Sequence, residues 1–182
     1  MSHGEFLTKL SIWLALLAYA VSTGLQLEAH GRPHWRRAAR WAWTVGCGLF
    51  LWHVACAFTY FHHWSHAAAY DDTARQTAQL TGSKWGGGLY INYVFAAAWL
   101  ADVLWWWFAS ASFARRPRAL NAIWQGFFFF MVLNGAVIFV HGPMRWVGLI
   151  LCAGVTVLWF RHRRSRSKFP GNPPAAVEES PR

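Results

Sequence analysis

The sequence predicts an all-α polytopic membrane protein, a bundle of about five transmembrane helices with the N-terminus outside and the C-terminus cytoplasmic. Three observations carry this. Five apolar stretches, residues 6–27, 41–61, 88–109, 120–140 and 144–160, meet or approach the ~17–25 apolar residues that a spanning helix needs. None has the short alternation of barrel strands, and only helices and closed barrels satisfy every backbone group in lipid. The charge falls in the gaps. Arg32, Arg36, Arg37 and Arg40 occupy the first gap, Arg115, Arg116 and Arg118 the third, and Arg161, Arg163, Arg164, Arg166 and Lys168 follow the last stretch. Five crossings put those three segments on one side, which the positive-inside rule makes cytoplasmic.

The first stretch has a rival reading as a cleaved secretory signal, with residues 10–17 as its apolar core and Ala18-Tyr19-Ala20 as the cleavage site. Cleavage there would leave the first Arg-rich gap outside, and the apolar run continues past Ala20, so the stretch is read as a span. Gly31 and Pro33 turn the chain into the second span. Residues 62–87 form the one sizeable loop, placed outside. Within it Thr73-Ala74-Arg75-Gln76 reads as a capping box opening a short surface helix that ends at Gly82. Gly86-Gly87-Gly88 leads into the third span, and Pro117 and Gly142-Pro143 mark the turns flanking the fourth. The fifth span is the shortest and is kept because, without it, the basic tail would fall on the wrong side. The bundle thus covers residues 1–162. Residues 163–182, with Pro170, Pro173, Pro174, Pro181 and Glu178-Glu179, have too few apolar groups to fold and are expected to be a disordered cytoplasmic tail.

A net charge of +10 and a pI near 10.4 would point to nucleic acid in a soluble chain. Here the cations sit at the span ends, so the expected partners are the lipid bilayer and other membrane subunits, and no nucleic acid. The 14 Trp fit the same frame, because indoles favour the boundary between acyl chains and headgroups. Trp35, Trp41, Trp43, Trp105, Trp106, Trp107, Trp124 and Trp159 fall toward the inner boundary and Trp64, Trp85 and Trp146 toward the outer one, while Trp13, Trp52 and Trp99 are deeper and expected between helices. Cys47, Cys56 and Cys152 all lie inside spans with no CxxC pair, which reads as apolar packing.

His62-His63-Trp64-Ser65-His66 is the most suggestive local feature. If the second helix runs on, His62 and His66 are one turn apart on one face and can place two imidazoles on one transition metal. His63 lies on a different face. His141, at the outer end of the fourth span, is at a similar depth, and Asp71 and Asp72 are candidate carboxylate ligands or orienters. A b-type haem needs two facing imidazoles, which His62 or His63 with His141 would supply. The alternative is that these rings sit in the headgroup region with no ligand.

His53 and Asp102 are ionisable residues deep in spans, where the cost of such groups makes function the first hypothesis. His53 and Asn134 share a depth that permits a hydrogen bond, whereas Asp102 stands closer to the cytoplasm and could pair structurally with an inner-face Arg or accept from a Trp or Thr neighbour. Asn92, Trp99 and Trp106 recur at sevens beside Asp102, a stripe that reads as helix packing. No phosphate loop, GxSxG or HExxH is present, and no catalytic residue can be assigned.

The functional expectation is therefore an inner-membrane, multi-pass protein with an outer-face pocket that binds a transition metal or haem in an electron-transfer, metal-handling or oxidoreductase role. His62, His63, His66, His141, Asp71 and Asp72 form its metal set, and His53, Asn134 and Asp102 its polar floor. The alternative is a non-catalytic subunit or assembly partner of a larger membrane complex.

Overall fold

The computed structural model describes residues 2–29 and 32–168, and all regular structure among them is helical. In chain order the helices are α1 (His3–Glu28), α2 (Pro33–Tyr60), α3 (His66–Thr81), α4 (Gly88–Phe108), α5 (Ser110–Ala114), α6 (Arg118–Leu133) and α7 (Met144–Lys168). A single π-helical turn, Asn134–Ile138, continues α6. Five helices are long and apolar enough to cross a membrane: α1, α2, α4, α6 with its π-turn, and α7. The 28 residues of α2 extend about 42 Å, more than the ~30 Å of a hydrocarbon core. Its Arg36, Arg37 and Arg40 lie in the first two turns, the segment such an excess leaves at headgroup level.

The helix ends follow local chemistry. Ser2 caps α1 by accepting from the Glu5 amide (3.2 Å), and Pro33 stands at the start of α2, where its missing N–H costs nothing. Gly82 closes α3 in the left-handed region (φ 76°), as the sequence predicts. The start of α3 differs from prediction. Ser65 caps it, accepting from the Ala68 amide, so Thr73 is mid-helix and donates back to the Ala69 carbonyl instead of opening a capping box.

A hydrophobic driving force between helices is absent in lipid, so cohesion must come from close packing and directed contacts. An aromatic cluster supplies much of it. Trp43 packs on Phe128 (5.0 Å between centroids) and Trp99 (5.2 Å), Phe50 on Phe95 (4.8 Å), and Tyr19 on Trp43 (5.9 Å), tying α1, α2, α4 and α6 together. Such pairs contribute ~0.5–1.5 kcal/mol each beyond area burial. The Ser22 hydroxyl adds a bond to the Ala39 carbonyl (2.8 Å) between α1 and α2. At the far end α7 rests on the π-turn, where Gly148 lies directly against the Ala136 backbone and leaves no room for a Cβ. Outward faces are apolar, with Ile123, Trp146 and Ile150 each more than two-thirds exposed. A water-soluble monomer would not show such a surface, and a lipid-facing one does.

Trp41, Trp159, Trp64, Trp85 and Trp146 are exposed, and so is Trp52, for which the sequence predicts a place between helices. Trp43 is buried at the centre of the cluster because its stretch of α2 faces α1 and α4, and Trp52 faces outward. Trp99 and Trp106 are buried as helix packing predicts, while Asn92 is exposed. The three thiols are free and buried. Helix α7 runs to Lys168, beyond the boundary expected at Phe160, and the rest of the expected disordered tail, 169–182, lies outside the described residues.

Candidate functional site

Among the described residues the ion pair of Asp102 and Arg116 is buried, and the site is built around it. Asp102 projects from α4 and accepts from Arg116 Nη2, with 3% and 4% of the two side chains exposed. Arg116 reaches it because α5 folds back under α4: the Phe113 ring stacks on Trp106 at 4.6 Å and 7°. Its guanidinium lies over Phe113 (4.4 Å) and Trp105 (4.6 Å), faces that attract a cation. The carboxylate is also within electrostatic reach of the Trp43 indole, which makes no direct hydrogen bond of its own. This is the structural pairing with an Arg that the sequence left open for Asp102, here one from the third gap.

Next to the pair a cleft of about 930 Å³ opens between α1, α6 and α7, with α5 as its floor. Its walls are largely aromatic and aliphatic, including Tyr19, Trp106, Phe129, Val155 and Phe160. Polar groups converge on it as well. Arg118, Asn121 and Gln125 recur along one face of α6, Thr23 and Gln26 come from α1, and Thr156 from α7. Arg36 completes the rim from α2. Among the described residues its lining contains no carboxylate, and neither Arg36 nor Arg118 has an ion-pair partner. The Arg116 charge is neutralised by Asp102, so the uncompensated charge of the cleft is that of Arg36 and Arg118. Arg36, Arg118 and His162 come from three separate gaps of the sequence, and all line this one cleft.

The cleft exists because α6 and α7 are held together at the opposite end. Gly148 allows backbone contact with the π-turn there, whereas at the cleft end Gly126 of α6 faces open space, with nothing within 4 Å of where a Cβ would stand. Pockets that bind drug-sized ligands are typically ~300–1,000 Å³, mostly apolar, with a few placed polar groups.

The histidine end is arranged differently from expectation. Helix α2 stops at Tyr60, and His63 (φ 48°) and Trp64 (φ 58°) turn the chain in the left-handed region, so His62 and His66 are not one turn apart on one helix. His62 packs edge-on to Phe58 (5.6 Å). His66 begins α3, with Nδ1 at 3.1 Å from the Tyr93 hydroxyl and Nε2 at 3.4 Å from that of Tyr90. His63 and His141 are exposed. Asp72 pairs within its own helix with Arg75 (2.9 Å) and Gln76 (3.0 Å), and Asp71 is exposed. Among the described residues no group of three or more His, Cys, Asp or Glu side chains converges as metal ligands do.

The hydrogen bond expected between His53 and Asn134 is not formed. His53 Nδ1 is 2.8 Å from the Thr8 carbonyl of α1, and since a carbonyl can only accept, Nδ1 carries the proton. Asn134 donates to the Phe130 carbonyl one turn back (2.7 Å), beside the π-turn it begins. Both polar groups therefore serve helix backbones.

No family model, curated protein or solved structure matches this chain.

Sequence reasoning did not single out the cleft. Its signal was present as polar residues inside apolar stretches: Asn121 and Gln125 one turn apart on α6, Thr23 and Gln26 on α1, and Thr156 on α7. Each is mild alone, and only the packing brings them to one place.

Proposed function

We propose that this chain is a multi-pass inner-membrane protein, N-terminus outside and C-terminus cytoplasmic, that binds an anionic amphiphile drawn from the membrane in the cleft between α1, α6 and α7. The observation that carries the reading is the composition of that cleft: about 930 Å³ between largely apolar walls, rimmed by Arg36 and Arg118, with no carboxylate among the described residues of the lining. A long apolar tail suits the walls, and a negative head suits the rim. The orientation rests on the positive-inside rule applied to the end that gathers Arg36, Arg118 and His162.

The test is the content of the purified protein. In mild detergent, wild type should retain a stoichiometric anionic amphiphile detectable by mass spectrometry. Gly126→Phe, which fills the open space in the cleft wall, should lose it while staying folded. A wild-type protein with no retained amphiphile, or a Gly126→Phe variant that keeps the same load, would overturn the reading.

A second reading concerns the histidine end. Two consecutive non-glycine residues in the left-handed region, His63 and Trp64, are strained, and strain of this kind gathers at functional sites. That supports a cofactor there. A b-type haem, which needs only two protein ligands, is the form of the metal expectation that suits these residues, with His62 or His63 and His141 as the pair. A Soret band lost in His141→Ala supports it, and a colourless protein as isolated refutes it.

A further inference from the structure

Beside the cleft lies a second cavity of about 440 Å³, lined by Arg32, Arg36, Arg37, Arg40, Trp106 and Ser110. Arg36 and Trp106 line both spaces, so the two adjoin. We infer that the amphiphile is one with a phosphate head, seated with the head in this arginine cavity and its chain in the aromatic cleft. The inference rests on the proposed amphiphile binding and deepens it by naming the head.

Arg32 at the N-cap of α2 and Arg36, Arg37 and Arg40 in its first turns line the smaller cavity, and none has an ion-pair partner among the described residues. The carboxylates described at this end are Asp102, committed to Arg116, and Glu28, which lines neither cavity. Four cations are more than a fatty carboxylate can engage with its single charge and two oxygens. A phosphate monoester or diphosphate offers more charge and at least three acceptor oxygens, and guanidinium forks match its geometry. Arg40 adds a second indication. Its guanidinium lies 4.0 Å over the Trp107 ring, and its Nε is buried without a hydrogen-bond partner, although buried polar atoms are nearly always paired. The Trp107 indole is itself held, donating to Thr44 Oγ1 (2.9 Å), so the ring that supports Arg40 is fixed in place. A cation fixed in position on the wall of the cavity is what a bound acceptor would use. Ser110, at the start of α5, contributes a hydroxyl to the same space.

The test uses the full chain in nanodiscs of neutral lipid and follows intrinsic Trp fluorescence, to which Trp106 in the shared wall contributes. Three probes are titrated: a short-chain phosphatidic acid, decanoate, and inorganic phosphate alone. The phosphatidic acid should bind at least tenfold more tightly than decanoate, and inorganic phosphate more weakly than both. The double variant Arg37→Gln/Arg40→Gln should erase the preference for phosphate over carboxylate. Arg37→Gln alone, at an exposed position, should reduce the preference and keeps the test available if the double variant does not fold. Equal affinity for the two amphiphiles, unchanged by these variants, overturns the phosphate assignment and leaves amphiphile binding standing. Binding of neither amphiphile by folded protein overturns both. Inorganic phosphate binding as tightly as phosphatidic acid, indifferent to Gly126→Phe, would mean a free anion is the ligand and also overturns the proposal.

Discussion

Replacing Asp102 by Asn keeps the shape of the side chain and removes its charge, so the Arg116 guanidinium, 4% exposed, is left without a counter-ion. Breaking a buried pair from one side costs ~3–5 kcal/mol, because the surviving charge has neither partner nor water. The Asn amide oxygen can still accept from the guanidinium, which places the loss at the low end of that range, while the Trp105 and Phe113 faces hold the cation in both proteins and cancel from the difference. A net loss of about 3 kcal/mol is therefore expected. For a chain of 182 residues, at ~2–4 °C per kcal/mol, that lowers Tm by roughly 6–12 °C. The assay is thermal unfolding in mild detergent, followed by far-UV circular dichroism. Arg116→Met should fall by a similar amount, since it strands the carboxylate instead. The double change Asp102→Leu/Arg116→Met removes both charges and should return most of the loss, because an apolar pair of similar volume is often as stable as the ion pair. Should Asp102→Asn melt within about 2 °C of wild type, or the double variant melt below both single variants, the reasoning fails.

Three further outcomes are expected. Gly148→Val puts a side chain against the Ala136 backbone and should destabilise by ~1–3 kcal/mol, read as a lower Tm; an unchanged Tm would mean α7 is not seated on the π-turn. His53→Leu removes the bond to the Thr8 carbonyl at ~0.5–1.5 kcal/mol, and hydrogen exchange should rise in the first turns of α1 while α6 stays protected. Gly126→Phe, besides emptying the cleft of ligand, should hold or raise Tm, since it replaces a helix-interior glycine costing ~1 kcal/mol at a position with free space; a large drop in Tm would mean the space is closed.

The spans were legible because lipid imposes a simple rule: a helix must be apolar over its crossing and can be charged only beyond it. Hence all five stretches appear in the fold, with boundaries eight residues off where a helix runs past the apolar zone, as α2 does toward Pro33 and α7 toward Lys168. The end of α2 was not legible. Tyr60 to Ser65 carries no Gly or Pro, and the break depends on His63 and Trp64 accepting left-handed angles that their residue types do not announce. The partners of deep polar groups were only half legible. Depth along a helix can be counted from sequence, but azimuth relative to neighbours cannot, so Asp102 was matched to an Arg in kind while His53 was matched to the wrong helix. The cleft was hidden for the same reason, because its lining comes from six helices and no two-residue spacing encodes it.

Contact with the π-turn at Gly148 makes that point a pivot for the fifth crossing. Trp159 stands eleven positions farther along α7, about 16 Å at the helical rise, on the wall of the cleft. A tilt of about 10° at the pivot would therefore carry Trp159 through about 3 Å. Should α7 tilt there, a short movement at one end of the helix would change the width of the cleft at the other, so bulk introduced near residue 148 would reach the proposed amphiphile site from the opposite end of the molecule.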